Sequence, residues 1–514
     1  MSRKTALKMI ICILMCSWLL ACSGITPMEG HKEDDAKPVV PVIIVNNDRP
    51  DYMTGDAVES GMTAEDEDDR EQEDEFIYDE INKIYSKESS SPDEISLVFA
   101  GDICFYDDYA NMGVYRQQSD GIYGCIDETL MKEMTGADIF MLNNEFAYSD
   151  RGAPIEGKQY AFRSKPGNVS ILNDMGVDIV SLANNHAYDW GPDALIDSID
   201  TLNGAKVPFV GAGKDLDEAM KPVYFRINGL TIAYVSATQI ERTANPDTKE
   251  ATATSPGVLR TLDPTAFLKV ISLAKENSDL TIVYVHWGSE NTDLVEQSQR
   301  DLARKYVEAG AGLIIGDHPH CLQGIDYIGD VPVFYSLGNY WFNSKTVDTG
   351  LLKVILDKDA SIRECRFIPA IQKGCKTRYA GNEESVRILY QAALSKGYTT
   401  EDIQVLSPWK SEDKSECSAD ALNAFLQPIV NPAAEDKAEF SMPDGKVFRE
   451  GDKVIQSAND YEITCYDADD PEEPVENGVF NGETGTITEI SDEDGCIYVN
   501  YGDASSPELY VLVA

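Results

Sequence analysis

Apolar runs alternate with helix-patterned segments over residues 95 to about 375, and most of the runs end in polar residues. The runs read ISLVFAGD (95–102), ADIFMLNNE (137–145), VDIVSLANNH (177–186), LTIVYVHWG (280–288) and AGLIIGDHPH (311–320). Helical patterns near Asn168–Met175, Pro192–Leu202 and Val295–Glu308 fall between them. This alternation predicts a βαβ architecture with a largely parallel, buried sheet. The stretch VYFRINGLTIAYVS (223–236) places Asn228-Gly229 between β-rich runs, a strong hairpin signal, so the sheet is expected to be mixed. The fold class is therefore α/β, an α+β sandwich with a mixed β-sheet core flanked by helices.

The texture changes towards the C-terminus. Residues 384–440 read as a helix, a strand (around DIQVLSP, 402–408) and an amphipathic helix ended by proline. Residues 441–514 are short β-rich runs separated by Gly, Asn and Asp, which predicts a small barrel.

The N-terminus sets the expected compartment. Arg3, Lys4 and Lys8 precede an apolar run from Met9 to Leu20 that closes on Leu19-Leu20-Ala21-Cys22. This is the pattern of a signal segment followed by a small-residue cleavage site. An uncleaved anchor helix is the competing reading, but the run is shorter than the roughly 20 residues that span a bilayer. Leu-Leu-Ala-Cys resembles a bacterial lipobox, which implies cleavage before Cys22 and a lipid on its sulfur. Residues 1–22 are thus expected to be a lipoprotein signal peptide, with the protein anchored at the extracytoplasmic face of the cell membrane. Residues 23–92, acid-rich over EDEDDREQEDEFIYDE (65–80), are expected to be a disordered tether.

The formal net charge of −46 argues against nucleic acid as a partner, because phosphate binding needs Lys and Arg to displace counterions. Eight of the eleven cysteines follow Cys22, and no CxxC pair or zinc-ribbon spacing occurs among them. Their pairing cannot be read from the sequence.

Only five histidines occur in the chain, and His186, His286, His318 and His320 sit at the ends of the apolar runs with Asp102, Glu145 and Asn185. In open α/β sheets, ligands bind beyond the carboxyl ends of the strands. Carboxylate, amide oxygen and imidazole suit Zn, Mn or Fe, and no soft Cys cluster competes. Asp102, Glu145, Asn185, His286, His318 and His320 are enough for two adjacent divalent ions with one carboxylate bridging. Such a pair can activate a bridging water and stabilise charge on a phosphoryl group.

At these residues the chain resembles the CapA-type capsule or poly-γ-glutamate synthesis proteins, whose fold is similar to that of calcineurin-like metallophosphoesterases. The resemblance covers about residues 95–370. It rests on AGD (100–102), Asn143-Asn144-Glu145, Tyr160-Ala-Phe-Arg163, Ala183-Asn-Asn-His186, His286-Trp-Gly-Ser-Glu290, Gly316-Asp-His-Pro-His320 and Ser336-Leu-Gly-Asn339. It implies a domain over 93–375 in which Asp102, Glu145 and His320 hold one metal, and Glu145, Asn185, His286 and His318 the other. His186 would correspond to the phosphoesterase histidine that acts as general acid or steadies the leaving group. Phosphoesterases usually carry Asp-x-His in the first motif, whereas Asp102-Ile-Cys104 has a thiol there, so Cys104 is a possible further ligand. Arg163, Lys165, Trp287 and Glu290 are candidate substrate contacts. Asn339 joins them by position, with no chemistry assigned to its loop.

Residues 384–514 resemble the C-terminal region of RecD-like helicases, including their SH3-like insert, through DIQVLSP (402–408), ALNAFLQPIVNP (421–432), FREGDKVIQSANDY (448–461) and VFNGETGTITEI (479–490). No P-loop sequence accompanies it, so a binding or spacing module is expected rather than a motor. Two functional classes stay open. One is a dinuclear-metal hydrolase acting on a phosphoester or cell-surface polymer. The other is a non-catalytic metal- or polymer-binding factor that assists capsule export or attachment, alongside other capsule-synthesis proteins.

Overall fold

The apolar runs pair into two eight-stranded mixed sheets in the computed structural model of the chain. It describes residues 77–240 and 248–381 continuously, and separate stretches elsewhere, chiefly between 384 and 513. The chain divides into two compact units, Met1–Leu406 and Ser407–Ala514.

In the first sheet, Phe209–Val210, Ile179–Ser181, Ile139–Asn144 and Ile95–Ile103 run parallel in that order. Val347–Leu356, Ile362–Lys373 and Lys376–Tyr379 continue it antiparallel, and Asn339–Trp341 also pairs with Ile95–Ile103. In the second sheet the parallel core is Leu230–Thr238, Leu280–His286, Leu313–Asp317 and Val331–Phe334. Ile325–Ile328 and Val223–Ile227 flank it antiparallel. The latter pairing is the expected hairpin, and its turn residues Asn228 (φ +50°) and Gly229 (φ +75°) have the left-handed conformation of a type I′ turn.

The sheets face one another. Phe99 and Tyr234 bring their rings to 6.5 Å across the interface, and Tyr284 donates a 2.6 Å hydrogen bond to the carbonyl of Ala100. Leu130, Leu172 and Leu195 cover the outer face of the first sheet from helices Glu128–Thr135, Ser170–Asp174 and Pro192–Gly204. Phe267, Ile271, Leu302 and Tyr306 cover the second from Thr265–Glu276 and Gln297–Ala309. The last helix is held at both ends, by a reciprocal Glu296/Gln299 capping box and by Gly310 at φ +115°. The fold is therefore the expected α/β sandwich, a mixed sheet core between helices. Ala110–Tyr115, Glu128–Thr135 and Thr265–Glu276 are helices the periodicity did not mark.

The boundaries of this domain differ from those expected. Tyr78–Asp79 and Ile84–Ser86, placed by composition in the acidic tether, extend the second sheet, with Ile84–Ser86 parallel to Tyr224–Arg226. Tyr85 is buried and packs its ring 5.8 Å from Phe225. A few apolar side chains with a sheet edge to join outweigh the acid around them. At the other end, Lys376–Tyr379 carries the first sheet past residue 375.

Cys22 and the acidic run up to residue 76 lie outside the described residues. Within the apolar N-terminal run, Met9–Cys12 is a strand paired with Ile43–Ile44 and Ile403–Leu406. No helix among the described residues is long and apolar enough to cross a membrane.

In the second unit, six strands between Lys453 and Val513 form one antiparallel sheet. Among the described residues, Ile487, Ile490, Ile497 and Val499 form a buried apolar cluster in this unit, with Phe440, Phe448 and Val454 packed against them.

Candidate metal centre

Each candidate ligand is delivered by a strand end or the turn just after it. Asp102 is the penultimate residue of Ile95–Ile103, and its N–H donates to the carbonyl of Gly338 at 3.0 Å. A Cβ on Gly101 would fall 1.9 Å from that same carbonyl oxygen, which is why the AGD motif needs its glycine. Glu145 follows Ile139–Asn144, His286 ends Leu280–His286, and His318 and His320 follow Leu313–Asp317. His318 (φ +93°) and His320 (φ +58°) both occupy left-handed backbone, a strained conformation that concentrates at functional sites and costs of order 1–3 kcal/mol per residue.

These side chains converge. Glu145 Oε1 lies 3.7 Å from Nε2 of His186, 3.7 Å from Nε2 of His286 and 3.9 Å from Nε2 of His320. His286 Nε2 is 2.8 Å from Asn185 Oδ1 and 3.0 Å from His318 Nδ1. On the other side, His320 Nδ1 is 3.2 Å from Asp102 Oδ2 and 2.8 Å from Asn339 Oδ1. Ligand atoms of Glu145, His286 and His318, and separately of Asp102, Glu145 and His320, lie within 4.8 Å of one another. Glu145 is common to both groups, the position a bridging carboxylate takes. A third group of that kind joins Asp102, His286 and Asp317.

The electrostatics of the cluster are set by burial and by its crowded carboxylates. Burial, with the charges of Asp102 and Asp317, pushes the Glu145 carboxyl well above its usual range. Burial and Asp102 do the same to Asp317. Burial also works to raise Asp102, but the hydrogen bond and charge of His320 hold it at about 2. Burial depresses His286 to about 3 and His318 well below normal, while Asp102 overcomes burial to raise His320. Glu145 Oε1 and Asp317 Oδ2 are buried without a hydrogen-bond partner. Buried acceptors are ordinarily satisfied, and a carboxylate oxygen facing three imidazoles, as Glu145 Oε1 does, fits a divalent cation.

The structure brings together all six proposed ligands and His186. It also reveals supports that the motif reading passed over. Asn143 Nδ2 donates to Asp102 Oδ1 at 2.9 Å, and Asn184 Nδ2 donates to Asn143 Oδ1 at 2.9 Å. Asp317, given no role by its motif, sits 2.8 Å from His286 Nδ1. Lys158 and Asp189 form a buried ion pair beside His186. Only the position of Asp189, three residues after His186, was available in the sequence to mark it; Lys158 left no signal there.

Several expectations are corrected. Trp287 is not a substrate contact: it is fully buried, stacked 6.1 Å from Tyr306 and 5.7 Å from Tyr335, with its indole N–H on the Tyr335 carbonyl. Residues alternate across a strand, so the residue after an inward ligand turns to the opposite face. Asn339 is buried and faces His320, which makes it a support for a ligand. Cys104 belongs to none of the ligand groups. It lies in the apolar core beside Phe105, and burial holds its thiol well above its usual range, hence protonated. Arg163 places its guanidinium 3.6 Å over the Trp190 ring, and among the described residues no contact joins it or the exposed Lys165 to the cluster. Glu290 is exposed and close enough for its charge to raise both Glu145 and His320.

Residues 96–344 match the model of the bacterial capsule synthesis protein PGA_cap family. The PGA biosynthesis protein CapA of Bacillus subtilis (strain 168) is 31% identical over 277 residues, which cover 53% of this chain and 70% of that protein. The capsule biosynthesis protein CapA of Bacillus anthracis is 34% identical over 203 residues, 38% of this chain and 48% of its own length. A probable polyglutamine synthesis accessory protein of Mycobacterium tuberculosis is 27% identical over 40% of this chain and 56% of its own. This chain belongs to the CapA-type capsule synthesis family. Residues 422–501 match the SH3 domain of ATP-dependent RecD-like DNA helicases.

Proposed function

We propose that the chain is a lipid-anchored, extracytoplasmic capsule-synthesis protein whose first unit is a metal-dependent hydrolase of phosphoester type. The observation that carries this reading is the unpartnered Glu145 Oε1, buried among the Nε2 atoms of His186, His286 and His320. Asp102, Glu145 and His320 would hold one ion, and Glu145, Asn185, His286 and His318 a second. Bound there, the ions would supply an activated water and a counter-charge for a phosphoryl group. The chain's own contribution is orientation: Asn143 aims Asp102, Asp317 aims His286 and Asn339 aims His320. His186 Nε2 opens on the same centre and is the atom placed to exchange a proton with substrate or water. The family suggests an anionic envelope polymer such as poly-γ-glutamate, or a phosphoester precursor, as the substrate. Other capsule-synthesis proteins are the proposed partners, and nucleic acid is not among them.

One observation favours a non-catalytic assembly role. The buried, protonated Cys104 stands where phosphoesterases carry a histidine, so the first ion would have fewer protein ligands. Metal analysis of the full chain with phosphatase and phosphodiesterase assays in added Mn or Zn separates the two. About two metals per chain, with turnover lost in His186→Ala, supports the hydrolase. Bound metal without turnover supports the assembly factor, and a metal-free chain overturns both. Anchoring is tested by Cys22→Ala, which should block processing or release the protein from membranes. A variant that remains membrane-bound at mature size removes the lipid-anchor proposal.

A further inference from the structure

Buried groups outside the ligand set converge on His186. Lys158 belongs to the segment EGKQYAFR (156–163), and its side chain is only 3% exposed. Its Nζ pairs with Asp189 Oδ1 and donates to the backbone carbonyl of Asn185. The other carboxylate oxygen of Asp189 accepts the Phe162 N–H at 2.6 Å and lies 2.7 Å from His186 Nδ1. Phe162 also stacks its ring on the imidazole at 4.2 Å, fixing the plane in which the nitrogens point.

A carboxylate paired with a lysine has no hydrogen to give, so the contact with Asp189 requires the hydrogen on Nδ1 of His186. In the neutral ring the lone pair is then on Nε2, the nitrogen 3.7 Å from Glu145 Oε1. Removing the lysine would leave a fully buried carboxylate without its ion partner and the Asn185 carbonyl without this donor, both costly in a dry interior. The Asn185–Asp189 turn would then be free to rearrange.

We infer that Lys158 is a positioning residue for two members of the metal centre. It holds Asn185 by its backbone and, through Asp189, fixes His186 in the Nδ1–H tautomer with the Nε2 lone pair turned towards Glu145. The consequence for metal rests on the proposed ligand set; the tautomer does not.

The test uses the full chain with ¹⁵N-labelled histidine, freed of metal by chelator. Five histidines give five ring signatures, and His186→Asn identifies the one of interest. The wild type should show a pyrrole-like Nδ1 and a pyridine-like Nε2 at His186. Lys158→Met should mix the tautomers while the other four rings keep their signatures, and Lys158→Arg should restore the single form. Mn²⁺ titration should follow, with affinity about 10–100-fold weaker in Lys158→Met and recovered in Lys158→Arg. A wild-type ring carrying its hydrogen on Nε2 overturns the inference whether or not any variant folds. So does a folded Lys158→Met chain with unchanged tautomer and unchanged Mn²⁺ affinity. A chain that binds no Mn²⁺ and turns over no ester defeats the hydrolase proposal, yet leaves the wild-type tautomer to decide this one.

Discussion

Asp317 Oδ1 lies 2.8 Å from His286 Nδ1, and the two residues are register partners on adjacent parallel strands. The sheet itself therefore aims the imidazole, leaving Nε2 to face Asn185, His318 and Glu145. Carboxylates behind metal-ligating histidines typically account for 10–100-fold in metal affinity. Asp317→Ala should lose about that much Mn²⁺ or Zn²⁺ affinity by calorimetric titration while the far-UV circular dichroism stays that of the parent. Equal affinity in the two proteins would show that Asp317 does not support a ligand.

Glu145→Gln should act in opposite directions with and without metal. In the metal-free chain it removes a buried carboxyl crowded by Asp102 and Asp317, so thermal unfolding should shift upward, by about 1–2 kcal/mol. With metal present it deletes the shared ligand, and the parent should become the more stable protein. Calorimetric scans of both chains, with chelator and with Mn²⁺, check this. Midpoints that keep the same order in both conditions would speak against a bridging role.

Cys104→Ala should leave metal content unchanged, because the thiol is held protonated in the apolar core. Only a thiolate is a good metal ligand. A loss of one metal per chain on elemental analysis would restore the cysteine to the ligand set.

Trp287→Ala should unfold the protein before it affects any ligand. The ring is fully buried against Tyr306 and Tyr335, and a Cβ on Gly316 would lie 2.3 Å from its Nε1, so the pocket is closely filled. The expected cost is about 3–5 kcal/mol by denaturant titration. A near-neutral change would mean that Trp287 is more accessible than its packing shows.

Lys83 gives the fold a pH dependence away from the metal centre. Its side chain is buried, with Nζ 4.0 Å above the Phe209 ring and donating to the Phe209 carbonyl, and burial lowers its pKa to about 8, partly opposed by Glu218. Between pH 8 and the unfolded value of 10.5 the unfolded chain binds more protons at this site, so its contribution to stability rises with pH across that window. Below pH 8 both states are charged and the penalty is constant. Lys83→Met should therefore gain most over the parent near pH 7.5, with the gain shrinking by up to about 2 kcal/mol at pH 9.5. A difference that does not change with pH would rule out the depressed lysine.

Much of the first unit was legible in the chain because its signals are local. Alternating apolar runs mark buried strands, Asn228-Gly229 marks a hairpin, and scarce imidazoles at run ends mark a centre. The misreadings share one cause, since they concern which way a side chain faces or what it meets. Trp287 follows a ligand by one residue and so turns into the core. Asn339 looked like a substrate contact and instead faces His320. Ile84 and Tyr85, surrounded by acid, gain a sheet edge that no local pattern displays.

The sequence by itself determined the core strands of the first unit and the family, and it nominated the six proposed ligands and His186, because strand periodicity and motif order are written over short spans. Only the tertiary structure decided that Glu145 is common to two ligand groups, that Asp317, Asn143 and Asn339 orient ligands, and that Lys158 reaches Asp189 behind His186. Those relations join residues tens to hundreds of positions apart. They depend on how two sheets register and pack, which becomes fixed only when the whole apolar surface is buried at once.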